Sequence, residues 1–332
     1  MFECMSPYLN DILDQPRALA AFTSQAAAEI APVAALGRGE RVVLTGMGAS
    51  LAALRPAWMT LVAAGVPAWL IETAELLNDA PGLLEGDVSV VAASQSGRSV
   101  EAVALVDAAP GRLIALTNDA LSPLAGGADV TVEIHAGVEH AVSTRSYVNT
   151  LAAAQLVGDA LAGVRVTRPY EAVADALAGY LASWEDRVAA LKSSVGVPER
   201  LYLLARGASL AAASCGALIA KEAAKRPVEA MSVPQFRHGP LELADERLTA
   251  IVLAGTGPDR ERNRRLYEDL ERLGAAGLWA DADGDLPLAD VPADGLPMAE
   301  IVLLQLLTVA LAELTGVPAG EFRHLEKVTT VE

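Results

Sequence analysis

The chain alternates short unbroken apolar runs with longer stretches in which apolar residues recur every three or four positions. Arg41-Val42-Val43-Leu44, Val88-Ser89-Val90-Val91-Ala92-Ala93 and Arg200-Leu201-Tyr202-Leu203 belong to the first kind. Runs that are apolar on both faces predict strands of a parallel sheet covered by helices on both sides. The first half of the chain predicts strands near 41–46, 67–71, 87–93, 112–117 and 129–134. The second half predicts strands near 200–205, 227–231, 248–254 and 277–280. A long helix is expected over about 7–36, and helical segments near 145–163 and 170–192 join the halves, with a boundary between Lys192 and Glu199.

The pattern also repeats. Gly48-Ala49-Ser50-Leu51-Ala52-Ala53 follows the first strand, and Gly207-Ala208-Ser209-Leu210-Ala211-Ala212 follows the strand at 200, both shifted by 159 residues. At the same shift Trp69-Leu70-Ile71-Glu72 falls on Val228-Glu229-Ala230-Met231. One α/β unit therefore occurs twice, by duplication rather than as a solenoid of short repeats. The expected division is a helix over 1–36, a first unit over 37–165, a connecting helix over 166–197, a second unit over 198–316 and a tail over 317–332.

Doubly wound sheets bind ligands beyond the carboxyl ends of their strands. Ser94-Gln95-Ser96-Gly97-Arg98-Ser99 lies at such an end, between an apolar strand and the helical Val100-Glu101-Ala102-Val103-Ala104-Leu105-Val106. The first N–H groups of a helix have no intrahelical acceptor, and the helix dipole adds positive potential there. Three hydroxyls and a glycine at that point suit a phosphate; an ordinary Ser-rich N-cap loop has the same look. The turn at Gly48-Ala49-Ser50 sits at a second strand end.

Composition narrows the classes. Hydrophobic residues make up 52% of the 332 positions and aromatics only 4%, so the core is built mainly from Ala, Leu and Val. Unbroken apolar runs stop short of the roughly 18–20 residues of a membrane span, and no basic leader precedes an apolar core. The net charge of −17 argues against nucleic acid or an anionic membrane as partner. It also means that an anionic ligand must be drawn in locally. Cys4 and Cys215 give no disulfide framework, and a cytoplasmic protein is expected. His135, His140 and His324 show no metal-ligand spacing with one another or with the cysteines, so neither metal nor cofactor is expected, and His135 is assigned to a strand end.

Several separated motifs, in order, resemble the SIS (sugar isomerase) family, above all the isomerase half of glucosamine-6-phosphate synthase and the stand-alone sugar-phosphate deaminases. They are the opening Met5-Ser6-Pro7-Tyr8-Leu9-Asn10-Asp11-Ile12-Leu13-Asp14-Gln15-Pro16, the Ser-Gln-Ser-Gly turn and Ser143-Thr144-Arg145-Ser146-Tyr147. They continue with Lys221-Glu222, with Arg237-His238-Gly239-Pro240 at a Glu-to-His spacing of 16, and with the terminal Leu325-Glu326-Lys327-Val328-Thr329-Thr330-Val331-Glu332. The resemblance covers nearly the whole chain. It implies an α/β fold of two tandem SIS domains, each a mostly parallel, doubly wound, flavodoxin-like sheet flanked by helices.

The resemblance also implies roles. Ser50, Ser94, Gln95, Ser96 and Ser99 would bind the substrate phosphate. Glu222 would move a proton between C1 and C2 of the open sugar. His238 would open the ring and reach a neighbouring subunit's site in a homodimer, and Lys327 would close over the substrate. Gly48, Ala49, Ala141, Arg98 and Glu326 are further candidate substrate contacts. Proton transfer between adjacent carbons does require a positioned base and a stabilised enediolate, and a carboxylate on an apolar helix face can titrate nearer neutrality. Taken alone, Glu222 reads as a surface helix acid, His238 as a turn residue, Lys327 as a solvated tail lysine and Arg98 as a helix-surface arginine. Glu229 reads as a packed strand residue.

The chain departs from the synthases at two places: Ala49 stands for a threonine, and Ile219 for a lysine two positions before Lys221. No glutaminase segment is expected, since Cys4 is not placed as such a domain's N-terminal nucleophile. The expected function is an isomerising deaminase, taking an amino-sugar phosphate to a ketose phosphate and ammonia. A fructosyl-amine phosphate deglycase or an aldose–ketose isomerase is the alternative, and a phosphosugar-sensing module the non-enzymatic one.

Overall fold

In the computed structural model, residues 6–109, 111–140, 142–164, 168–324 and 326–327 are described. Two compact units emerge. One consists of Arg17–Glu139, Arg145–Tyr170 and the tail from His324; the other of the chain up to Pro16, His140–Thr144 and Glu171–Arg323. They are called here the first and the second unit.

The chain opens with α1 (Pro7–Leu13) and α2 (Gln15–Leu36) where a single helix was expected. Pro16 has no N–H to continue the helical ladder, and the Gln15 amide turns inward to donate to Ile12 O and to Gln305 Oε1, at 2.9 and 2.7 Å. The first unit then runs through β1 (Arg41–Gly46), α3 (Gly48–Ala53), α4 (Arg55–Ala63), β2 (Ala68–Glu72) and α5 (Thr73–Asn78). It continues with β3 (Val88–Ala93), α6 (Val100–Ala108), β4 (Leu113–Thr117), α7 (Pro123–Gly127), β5 (Val130–Glu133) and α8 (Arg145–Ala162). The strands pair in parallel in the order β2-β1-β3-β4-β5. Every residue of β3 and β4 is buried, as the unbroken apolar runs required.

The second unit contains α9 (Tyr170–Leu181), apart from its first residue, and α10 (Trp184–Val195), a break where one helix was expected. Arg187 explains the break: its Nε donates to Tyr180 O at 2.7 Å, and its guanidinium lies 3.5 Å over the Tyr180 ring, so a side chain from α10 caps the end of α9. Next come β6 (Arg200–Ala205), α11 (Ser209–Ala223), β7 (Val228–Ser232), α12 (Val233–Arg237), β8 (Leu248–Leu253) and α13 (Gly257–Arg272). The unit ends with β9 (Ala276–Asp281), the two-residue β10 (Leu286–Pro287), too short to leave a sequence pattern, and α14 (Leu296–Thr315). Its strands are also all parallel, in the order β10-β9-β8-β6-β7. Read from the other edge this is the order of the first sheet, element for element. The chain is thus an α/β protein with two five-stranded parallel sheets flanked by helices.

Averaged along a helix rather than counted as unbroken runs, two segments among the described residues are long and apolar enough to cross a membrane, Gln15–Leu36 and Ala293–Thr315. The second is 94% buried and forms the core helix of its unit. There Glu300 and Gln305 interrupt the apolar run without interrupting the helix.

Candidate functional site

The turn after β3 is built around Gly97. Its φ is +60°, and a Cβ would fall 2.1 Å from Ser122 Oγ, so no other residue fits. The three serines then fold back on the turn. Ser94 Oγ accepts the Gly97 N–H at 3.2 Å, Ser96 Oγ accepts the Arg98 N–H at 3.2 Å, and Ser99 Oγ caps α6 by accepting the Ala102 N–H at 3.4 Å. A hydroxyl that accepts still has its own proton to donate. The turn therefore orders three O–H donors at the amino end of a helix, where an oxyanion is favoured. β1 and β3 pair with Gly46 opposite Ala93, which sets the Gly48–Ser50 turn at the same edge of the sheet. A Cβ on Gly46 would lie 2.9 Å from Ala93 O, so glycine permits this approach.

A cavity of about 680 Å³ opens beside the turn. Gln95, Ser96, Arg98, Asn118, His135, Glu139 and Lys327 are among its lining residues. Gly48, Ala49, Ser50, Ser94 and Ser99 are not, and Ala141 lies outside the described residues. Glu326 is exposed. Arg98, the candidate cation of the turn, is engaged by Asp119: Nη2 and Nε approach Oδ2 at 2.7 and 3.2 Å. That hydrogen bond, more than the charge of Arg98 at a distance, holds the Asp119 carboxyl below its usual range. His135 sits just past β5 in left-handed backbone with φ +49°, and its ring meets Glu29 Oε1 at 2.9 Å.

Lys327 reaches into this wall. Its Nζ lies 2.9 Å from Glu139 Oε2. The Glu139 carboxylate also accepts the Ser146 N–H at 3.0 Å and the Ser146 O–H at 2.7 Å, so it closes the amino end of α8 and anchors the tail lysine together. Sequence reasoning missed Glu139. An isolated acid in the loop before a helix carries no distinguishing signal until its partners are known.

Glu222 and His238 belong to the second unit. Glu222 is half-buried near the end of α11. Lys225 follows in left-handed backbone, φ +55°, and its Nζ donates to the carbonyl oxygens of Glu222 and of Glu321, the latter at 2.5 Å. Burial and then Arg323 push the Lys225 amine below its ordinary range, against the attraction of Glu222 and Glu321. Lys225 was also missed: without the fold, a lysine one turn after an acid looks like a surface pair. Ile219, at the position of the synthases' lysine, is fully buried in the core. His238 is exposed at the carboxyl end of α12. Beside it Arg237 pairs with Asp269 at 2.5 Å.

An open parallel sheet with a donor-lined turn at its carboxyl edge defines a doubly wound α/β protein of the ligand-binding kind. Residues 36–158 match the SIS domain family. The chain is 28% identical over 347 aligned positions to the glutamine–fructose-6-phosphate aminotransferase (isomerizing) of Pyrococcus horikoshii, an alignment covering 98% of this chain and 57% of that protein. The chain spans about half the length of the curated relatives it matches. Its fold matches the glucosamine-6-phosphate deaminase of Thermotoga maritima with a TM-score of 0.79 at 22% identity, covering 98% and 100% of the two chains. It also matches the tagatose-6-phosphate ketose/aldose isomerase of Escherichia coli with a TM-score of 0.77 at 20% identity, covering 94% and 93%.

Proposed function

We propose that the chain is an isomerising deaminase that converts an amino-sugar phosphate to a ketose phosphate and ammonia. The observation that carries the reading is the Ser94–Ser99 turn, whose three hydroxyls keep their protons beside a cavity that also receives Lys327. Ser50, Ser94, Gln95, Ser96 and Ser99 would hold the phosphate. Glu222 would take the proton from C2 of the open-chain aminoaldose and return it at C1. The C2 imine so formed adds water and releases ammonia, leaving the ketose phosphate. His238 would assist ring opening at a neighbouring protomer's site, which requires at least a two-fold dimer. The second sheet is read as a second SIS domain, on the 159-residue repeat and the shared strand order. The fold shared with the Thermotoga deaminase supports the reading, and the buried Ile219 supports a departure from synthase chemistry. The enzyme is placed in the cytoplasm, among its phosphorylated substrates.

The test is an ammonia-coupled assay over hexosamine-6-phosphates, beginning with glucosamine-6-phosphate. Equimolar ammonia and ketose phosphate are expected. Interconversion of aldose and ketose phosphates without ammonia would make the protein an isomerase instead.

A further inference from the structure

The second unit holds a cavity of about 500 Å³ that the proposed reaction does not use. Arg206, just past β6, and Arg237, at the end of α12, form part of its wall. Arg262, Arg265 and Arg272 enter from one face of α13. Five guanidinium groups converge here in a chain whose net charge is −17. Their counter-charges fall short. Asp259 pairs with Arg262 and Glu261 with Arg265, but Asp269 serves both Arg237 and Arg272. Glu268, also on the wall, leans toward Arg264 at 3.9 Å. Arg206 has no ion pair or hydrogen bond among the described residues, and its Nε is buried without a partner.

A structural arginine in such a place normally reaches a carbonyl or a carboxylate, because leaving a charged donor buried and unpaired costs free energy. Arg206 reaches neither. Burial depresses its pKa first, and Arg262 and Arg237 add like-charge repulsion against the attraction of Asp259. Arg206 is itself half-buried and only its Nε is closed off from water, so an anion entering the cavity would supply the acceptor this donor lacks and offset the repulsion among the arginines. Guanidinium forks match phosphoryl oxygens two at a time, and the volume suits a small metabolite.

We propose that this cavity binds a phosphorylated small molecule carrying at least two negative charges, with Arg206 and Arg262 as its principal contacts. Its lining residues all belong to the second unit, whereas the serine turn belongs to the first.

Calorimetry with inorganic pyrophosphate tests this on the full chain carrying Ser96→Ala and Ser99→Ala, so that the serine turn does not compete. Saturable binding that weakens with added salt is expected. Arg206→Gln and Arg262→Gln should each reduce affinity at least tenfold. Arg247→Gln, whose guanidinium pairs with Asp245 away from the cavity lining, should leave it unchanged. Arg206→Lys keeps the charge, loses the fork and should fall between. Absence of saturable binding overturns the proposal, as does affinity unaltered by both Arg206→Gln and Arg262→Gln. If either variant fails to fold, the other decides. Malonate binding as tightly as pyrophosphate would overturn the phosphoryl assignment.

Discussion

The two sheets share one strand order, yet their equivalent edges do opposite things with the same backbone. In the first unit, Ser94-Gln95-Ser96-Gly97-Arg98-Ser99 leads from β3 into α6 and presents hydroxyl donors beside an open cavity. In the second, Ala254-Gly255-Thr256-Gly257-Pro258-Asp259 leads from β8 into α13. Here Asn263 turns back to donate to Leu253 O and Ala254 O at 3.0 and 3.2 Å, and Thr256 makes no side-chain cap. The paired turns after β1 and β6 diverge in the same sense. Ser50 is half-buried, while its repeat partner Ser209 is buried and faces the carboxyl of Glu300, itself 0% exposed. The second unit thus places a carboxyl group of its own beside the serine at the position matching Ser50. The two turns share their place in the strand order and differ in their chemistry, which is why a motif match at Gly207-Ala208-Ser209 does not by itself predict a phosphate site there.

The largest expected difference between the copies is in binding. If the proposed phosphate site is right, Ser96→Ala with Ser99→Ala should remove two hydrogen bonds to a charged ligand, about 3 kcal/mol or more. That is a loss of roughly a hundredfold or more in affinity for an open-chain reduced hexosamine-6-phosphate. Thr256→Ala in the second turn should change affinity less than about twofold. Equal losses from the two would erase the distinction between the copies.

A smaller contrast lies in the glycines. Gly97→Ala must accept a left-handed backbone and also displace Ser122 and Thr117 Oγ1, whose side-chain atoms lie 2.1 to 3.1 Å from the added Cβ. Strain and overlap together should cost about 2–4 kcal/mol. Gly257, with φ +52° and nothing within 4 Å of its added Cβ, should cost about 1 kcal/mol on the same change. Chemical denaturation of the two variants would rank them.

Glu300 provides the finest test. Burial raises its pKa from 4.5 to about 8, Asp281 adds to the rise and Ser209 opposes it. Between those values the unfolded chain has lost the proton that the folded chain still holds. Stability must therefore fall as pH rises through this window and level off above it. The contribution is at most about 1.4 kcal/mol per pH unit. Glu300→Gln should remove that slope, so that the variant gains on the wild type between pH 6 and pH 8. Parallel stability curves for the two proteins would mean that the carboxyl is already ionised in the fold.

Much of this was legible in the sequence, and the failures have physical causes. Strands buried on both faces leave unbroken apolar runs, so β1, β3, β6 and β8 stand out. The serine turn is visible because a strand, three hydroxyls, a glycine and a helix follow one another locally. The break between α9 and α10 was not visible, because it depends on Arg187 folding back onto Tyr180 rather than on Gly or Pro. Glu139, Lys225 and Glu300 were missed for a related reason. Each becomes distinctive only through partners distant in the sequence, as with Ser146 and Lys327, 7 and 188 residues from Glu139, and Glu321, 96 residues from Lys225.

The proposal most exposed to test is that Glu222 moves a proton on a phosphosugar. Turnover of glucosamine-6-phosphate in heavy water measures it directly. The account predicts fructose-6-phosphate carrying deuterium at C1, at least in part, in step with ammonia release. Glu222→Gln should lower both by roughly a hundredfold to ten-thousandfold, since an amide cannot take the proton. Undiminished turnover by Glu222→Gln, with the fold intact, would contradict the account.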